Sequence, residues 1–246
     1  MKKTFTLLAA AALLILPSCR FIKISEEVKQ QIKENGITWS GDNAGETITA
    51  SDNYITRDET TGEFHALSCN LPGDILYTPG PCALSIYASD NVLEHVTVRN
   101  ESGTLEIKSD LKSIRNAKNI KINVSSPVLE GLNVNGAVDF KAPQGITALD
   151  FVVTITGAGD LEIDGLKSGK AVITVNGAGD ADIHKIDCDA LTVAINGAGD
   201  AVLDGKVSGK ADLSISGAGD IDATALKTGS IETNVRGIGK IRRPKN

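Results

Sequence analysis

The most regular chemical feature of the chain is an aspartate that recurs every twenty residues. It closes four copies of the string Gly-Ala-Gly-Asp, at Asp160, Asp180, Asp200 and Asp220. Carboxylates also stand two residues further on, at Glu162, Asp182 and Asp222. Several carboxylate oxygens close together are ligands that Ca²⁺ prefers, whereas water and turn N–H groups can offset the same charge without an ion. Both explanations stay open, and no metal site is firmly predicted.

The remaining titratable residues do not suggest catalysis. His65, His95 and His184 are scattered, and no pair of them has the spacing of metal ligands. His184 falls between Asp164 and Asp204 of the adjacent repeats, which predicts a surface ion pair. The sequence contains no nucleophile elbow, phosphate loop or metal motif. We therefore expect a non-enzymatic protein, with a glycan-processing enzyme as the last alternative.

Three cysteines follow the first 60 residues. Cys69 and Cys82 are placed on neighbouring predicted strands, and we expect a disulfide between them in an oxidising compartment. Cys188 aligns with Ser168, Ser208 and Thr228 of the other repeats, which predicts a free thiol at a small turn position.

The fixed period of twenty residues predicts the element that positions these side chains. Periods in this range are typical of solenoids, in which each repeat forms one coil stacked on the last. Aliphatic residues alternate along each repeat, as at Phe151, Val153 and Ile155, and similar residues recur one period later. We predict an all-β fold, a parallel β-solenoid with coils of about 20 residues. We expect it to be right-handed, although the repeat does not determine its hand. The glycines of each string are expected at a tight corner with φ values that a Cβ would forbid.

Stacking places two different surfaces outward. The aspartates form an acidic face with like charges about 4.8 Å apart, and Lys240 and Arg242 fall beneath Asp220 and Asp222 as a basic cap. The other face carries short uncharged side chains, and its candidate contact residues are Thr154, Thr156, Thr174, Asn176, Thr192, Asn196, Ser214 and Ser216. This neutral face can meet a second copy of the chain, a glycan, a matrix or protein ligand, or only water.

Upstream of the regular repeats, residues 61–130 alternate with period two and are punctuated by Gly and Pro. This pattern predicts an irregular β-rich N-terminal part, followed by the regular solenoid over residues 131–243. Its predicted strands are residues 64–69, 74–77, 83–87, 95–98, 104–107 and 119–124.

The chain resembles the bacterial putative auto-transporter adhesin family with the head GIN domain. The resemblance covers about residues 56–241 and rests on Gly62–Leu67, Asp74–Tyr77, Ser102–Ile107 and the Gly-Ala-Gly-Asp ladder. It implies a secreted or lipidated β-solenoid-like protein with an adhesive role, and it carries over no catalytic residue.

The first residues predict where the protein is located in the cell. Lys2 and Lys3 precede a short apolar stretch, so residues 1–18 are interpreted as a lipoprotein signal peptide. The sequence Leu16-Pro17-Ser18-Cys19 resembles a lipobox, with Cys19 as the lipidated residue that tethers the protein to the membrane. Residues 19–60 are interpreted as a tether with one short helix, starting near Ser25. We expect an exported outer-membrane lipoprotein, on either the periplasmic side or the cell surface.

Net charge excludes one class of partner. The 246 residues contain 25 Lys and Arg against 31 Asp and Glu, a formal charge of −6. Nucleic-acid binders normally carry a basic patch, so no nucleic-acid partner is expected. The function predicted is a non-catalytic, lipid-anchored envelope protein, an adhesin or scaffold that binds through flat faces. The alternative is a binding module stabilised by Ca²⁺, and no other cofactor is expected.

Overall fold

The computed structural model describes residues 45–244, which are built almost entirely of β-strands. One helix lies within this range, α1 (Asp90–Leu93). The strands are β1 (Thr47–Thr49), β2 (Tyr54–Glu59), β3 (Ala66–Cys69), β4 (Gly73–Pro79), β5 (Ala83–Ser89), β6 (Val96–Glu101), β7 (Thr104–Ser109), β8 (Ser113–Arg115), β9 (Lys121–Ser126), β10 (Gly131–Ala142), β11 (Ile146–Thr147), β12 (Asp150–Ala158), β13 (Leu161–Ile163), β14 (Leu166–Ala178), β15 (Ala181–Ala198) and β16 (Ala201–Arg242).

The regular part is a parallel β-solenoid whose coils have three sides. On the first side β12 pairs with β14, with Phe151 opposite Ala171. On the second side β13 pairs with β15, with Leu161 opposite Ala181. On the third side β14 pairs with β15, with Leu166 opposite Ile186. Because pairing continues around the corners, β16 runs through more than two coils, and the predicted fold class is confirmed.

The core consists of aliphatic columns that run along the solenoid. Val153, Ile173 and Val193 occupy the same position in successive coils, and each is 0% exposed. Burying a side chain of this size contributes about 1.5–3 kcal/mol, so each coil is stabilised mainly by its neighbours.

The third side was not predicted. The interpretation of the sequence placed Cys188 at a turn, whereas the structure places it in β15, buried and opposite Ser168. One coil later Cys188 lies opposite Val207 and not Ser208, because the register shifts on either side of this segment. The free thiol is confirmed, but the turn position and the alignment with Ser208 are wrong.

The glycines of the repeat stack directly on one another. Gly177 has a φ of +139°, and a Cβ there would lie 2.0 Å from the carbonyl oxygen of Gly157. No side chain fits so close to a main-chain oxygen, so the corner admits only glycine.

The N-terminal part continues the same ladders. Leu132 lies opposite Leu67 of β3, and Asp139 lies opposite Asp74 of β4. The boundary predicted at residues 130 and 131 is therefore not a break in the fold. Antiparallel pairs β2–β5 and β6–β7, together with α1, close this end of the core, with Val92 buried on α1.

Part of the predicted tether belongs to the fold. Within the range 19–60, β1 pairs with β8 and β2 pairs with β5. Arg57 of β2 anchors this region, since its guanidinium donates to the carbonyls of Leu93 and Val96 at 2.6 and 3.0 Å. The predicted signal peptide, the lipidation site Cys19 and the helix near Ser25 lie outside the described residues.

Across residues 45–244, no helix has the length and apolar character needed to cross a membrane.

Candidate contact faces

The aspartates of the repeat are joined by main-chain hydrogen bonds. The N–H of Asp180 donates to Oδ1 of Asp160 at 3.0 Å, and the N–H of Asp200 donates to Oδ1 of Asp180 at 2.7 Å. The N–H of Asp220 repeats the bond to Asp200 at 2.7 Å. The carboxylates are thus in register, and each satisfies a corner N–H of the next coil. Charge-assisted bonds of this type help to offset the repulsion along the column.

The acidic column is longer than the repeat suggested, and lysines flank it at both ends. It continues upstream through Asp139, whose Oδ1 accepts the N–H of Asp160, to Asp74. Lys121 lies opposite Asp74, and the N–H of Lys240 donates to Asp220 at the other end. Asp74 follows a glycine but lies outside the period of twenty, so the repeat alone could not reveal it.

A second column runs beside the first and contains Glu162, Asp182 and Asp222. Lys141 bonds Glu162 at 2.6 Å, and Arg242 reaches Asp222 and Asp220 at 3.1 Å each. Of the predicted basic cap, Arg242 forms direct ion pairs, whereas Lys240 bonds Asp220 through its main-chain N–H.

Two carboxyl groups of this second column have pKa values that are shifted in opposite directions. Burial raises the pKa of Asp182, and the carboxylates of Asp180 and Glu162 add to this while His184 opposes it. The Thr224 hydroxyl and N–H lower the pKa of Asp222, with Arg242 adding a smaller effect.

His184 forms the surface ion pair that its alignment predicted. Its Nδ1 bonds Asp204 Oδ2, and the N–H of Lys185 donates to Asp204 Oδ1 at 2.9 Å. The bond to Asp204 raises the pKa of His184. Burial alone would raise the pKa of Asp204, but the bonds from His184 and Lys185 outweigh it and lower that pKa.

The neutral face lies on the first side of the solenoid, and the structure brings all its predicted residues together. In one column Thr154 lies opposite Thr174, and Ala194 lies opposite Ser214. The other predicted members are likewise in register on this side: Thr156, Asn176, Thr192, Asn196 and Ser216.

The neutral face also extends further than predicted. Asn133 and Asn135 of β10 lie opposite Thr154 and Thr156. They were missed because the upstream copy of the repeat is offset by one residue. In the column of Asn135, the amide of Asn196 donates to Oδ1 of Asn176 at 2.9 Å, so neighbouring coils fix each other's side chains.

The predicted disulfide is not formed in the structure. Cys69 and Cys82 are both free, with Cys69 Sγ directed at the carbonyl of Leu71 and Cys82 Sγ at that of Phe64. Cys69 belongs to the buried inner row of β3, whereas Cys82 lies in the connection between β4 and β5. Burial raises the pKa of Cys69 to about 12, so it is an inert thiol at neutral pH.

Metal-ligating groups do not converge within the described part of the chain. No set of three or more His, Cys, Asp or Glu there is placed to hold an ion. His65 pairs with Glu130 at 3.2 Å, and His95 pairs with Asp110 at 2.9 Å, both far from the histidine of the acidic face.

Residues 63–243 match the family described as putative auto-transporter adhesin, head GIN domain. The chain belongs to this family.

Solved structures of adhesin-named proteins share the fold. A putative adhesin from Bacteroides fragilis is 25% identical, with a TM-score of 0.66 over 79% of this chain and 99% of that one. Putative adhesins from Parabacteroides distasonis and Parabacteroides merdae are 13% and 15% identical, each with a TM-score of 0.52. They cover 80% and 82% of this chain, and 99% and 100% of their own. Among curated proteins, no match to the chain was found.

Proposed function

We propose that this protein is a non-catalytic adhesin of the cell envelope, tethered by a lipid on Cys19, that binds its ligand through the neutral face. The observation that carries the proposal is the uncharged ladder on the first side of the solenoid. It runs in register from Asn133 to Ser214 without a charged side chain in its central column.

The chemistry of this ladder suits an extended polar polymer. In the neighbouring column from Asn135 to Ser216, hydroxyl and amide groups recur about every 4.8 Å along the solenoid axis, and each can both donate and accept a hydrogen bond. Short Thr, Ser and Asn side chains lose little rotamer entropy when a ligand orders them. The bond between Asn196 and Asn176 already restricts two of them. A glycan chain or a matrix protein with a flat polar surface is the ligand class we propose.

Family membership supports an adhesive role. The neighbour from Bacteroides fragilis carries the name of a putative adhesin, and its similarity to this chain extends over nearly its whole length. The predicted signal peptide and lipobox support placement on the outer membrane. Replacement of Cys19 by Ser should release the protein from membranes and abolish incorporation of a labelled fatty acid.

The binding test compares two pairs of lysine substitutions. Thr156→Lys with Asn196→Lys places charge on the neutral face, while Val202→Lys with Asp187→Lys places it on the other two sides. All four positions are exposed, so each pair should fold. Binding is measured on a glycan array and on immobilised matrix proteins. We expect the first pair to lose binding and the control pair to retain it; equal binding by both would overturn the proposal.

A module stabilised by Ca²⁺ is the second candidate. It is favoured by the carboxylates that line one cleft, Asp160, Glu162, Asp180 and Asp182, and by the raised pKa of Asp182, which a cation would relieve. Lys141 lines the same cleft and pairs with Glu162, so an ion there would have to displace this amine. Thermal unfolding with added Ca²⁺ and with a chelator distinguishes the candidates. If the chelator does not change the melting temperature, the protein is not a module stabilised by Ca²⁺.

A further inference from the structure

The last coil of the solenoid has an open edge. Residues 231–242 pair with the coil before them, and no strand of the described chain pairs with their other side. In the preceding coil, the inward residue Ile215 is 1% exposed, whereas Val235 at the same position in the last coil is 39% exposed. Ile238 at the adjacent corner is 82% exposed. Core columns and main-chain groups therefore both end at this edge without a cover.

At the opposite end of the molecule the core is covered, although β2 and β6 are themselves edge strands of the sheet. There α1 and the antiparallel strands β2 and β6 cover the core, and Leu93 is only 3% exposed. An unpaired strand is a template for pairing with another chain, and proteins usually blunt it with charge. On the second side of the last coil, Lys240 and Arg242 contact Asp220 and Asp222 of the coil before. On the first side of the last coil, Glu232 forms one ion pair with Lys210 of the coil before, and Arg236 extends the charge along the same edge.

The sequence of that first side is complementary to itself. If two copies of the strand meet antiparallel with Asn234 opposite Asn234, then Glu232 of each lies opposite Arg236 of the other. Residues directly opposite share one face of a sheet, so this register also places Thr233 opposite Val235 on the core side. In this register, opposite charges meet on the outer face, and the core columns of one copy continue into those of the other.

The charges needed for this register are available. Arg236 is exposed and forms no ion pair with any residue in the range 45–244. Glu232 contacts Lys210 at 2.9 Å, and its side chain is still 73% exposed, so it can accept a second cation.

We propose that two copies of the chain associate tail to tail through residues 231–237, in the register centred on Asn234. The interface is isologous, so it closes at a dimer and does not propagate into a fibre. It buries the open core columns and leaves the neutral faces exposed on both copies.

The test uses charge reversal in the mature chain with Cys19→Ser, and molecular mass is measured by sedimentation. Glu232→Arg alone and Arg236→Glu alone each place like charges opposite one another at two symmetric positions. We expect either variant to weaken dimerisation by about tenfold or more. Each should keep the circular dichroism of the unaltered chain.

Two further measurements separate register from a general effect of charge. The double variant Glu232→Arg with Arg236→Glu should recover the dimer, and an equal mixture of the two single variants should form a mixed dimer. Arg243→Glu, a reversal in the same coil outside the paired segment, should leave dimerisation unchanged. A monomeric unaltered chain, or single variants that dimerise normally, would overturn the proposal. Either result leaves binding by the neutral face to be judged on its own assay.

Discussion

The aspartate that closes each Gly-Ala-Gly-Asp string accepts a hydrogen bond from a main-chain N–H. Asp180 accepts an N–H from the coil on one side through Oδ1, and its own N–H donates to Asp160 on the other side. A carboxylate at this position is therefore explained by hydrogen bonding between coils. Its negative charge strengthens the bond but also creates repulsion along the column.

Substitution of Asp180 separates these two effects. Asp180→Ala removes the acceptor and should lower the free energy of unfolding by about 1 kcal/mol. Asp180→Asn keeps an oxygen acceptor and removes one repulsive charge, so we expect a smaller loss or none. Denaturant unfolding of both variants checks this. A loss for Asn as large as the loss for Ala would mean that the negative charge, and not the oxygen acceptor, is what the fold requires.

The stacked glycines should be among the least replaceable residues. In Gly177→Ala the new methyl group would lie 2.0 Å from the oxygen of Gly157, so the corner must open. We expect a loss of about 2–4 kcal/mol. Gly165→Ala is the matched control, since its Cβ would find its nearest neighbour at 3.8 Å and its φ is not positive. Thermal melts that show equal losses for both would contradict the stacked corner.

The pair of His184 and Asp204 should make stability depend on pH. Because the pKa of His184 is raised above its usual 6.5, its contribution is complete below that value and is lost as pH rises through the folded pKa. Because the pKa of Asp204 is lowered below its usual 3.8, its contribution is lost only as pH falls through that lower value.

Comparison with His184→Gln isolates this contribution. The stability advantage of the unaltered chain should be greater at about pH 5.5 than at about pH 8.5. Denaturant titrations at the two values measure it. An advantage that grows at the higher pH would contradict the ion pair.

At the scale of strands, alternation was sufficient for the first two sides and insufficient for the third. On the first side, buried and exposed residues alternate strictly over five residues of each coil, and Val153, Ile173 and Val193 are the central buried residues of three successive coils. The third side buries Leu166 and Ile186 in a much shorter segment, next to Lys, Ser and Gly, so its pattern looked like a turn. The bulge that pairs Ile186 with Gly205 has no signature that a fixed period can show.

The cysteines show why spacing alone does not predict a disulfide. Cys69 lies in β3 and Cys82 in the connection between β4 and β5, and their sulfur atoms bond different carbonyls. We expect a thiol reagent to label Cys82 in the folded chain with Cys19→Ser, and Cys69 and Cys188 only after unfolding. Mass spectrometry counts the labels. If Cys82 were not labelled in the folded chain, and reduction did not change the mass of the sample, then Cys82 would be a free thiol that the reagent cannot reach.

At the scale of the whole molecule, the sequence was most informative where the period is strict. The neutral and acidic faces over residues 150–222 were predicted residue by residue, because identical positions recur one coil apart. Asp74 and Asn133 belong to the same faces, but insertions upstream shift them out of the period. The strands at residues 47–49 and 54–59 depend on contacts with distant β8 and β5, which no local pattern reveals.

Deletion of one complete coil tests the stacking of coils in register most directly. Each coil contacts only its neighbours, so removal of residues 161–180 should join two equivalent positions and leave a cooperative fold. Deletion of residues 161–170 should abolish it, because the later coils would be out of register with the earlier ones by half a coil. We predict that thermal unfolding and near-ultraviolet circular dichroism show a folded protein for the longer deletion only. If the shorter deletion folded as well, or the longer one did not, the coils would not be stacked as described.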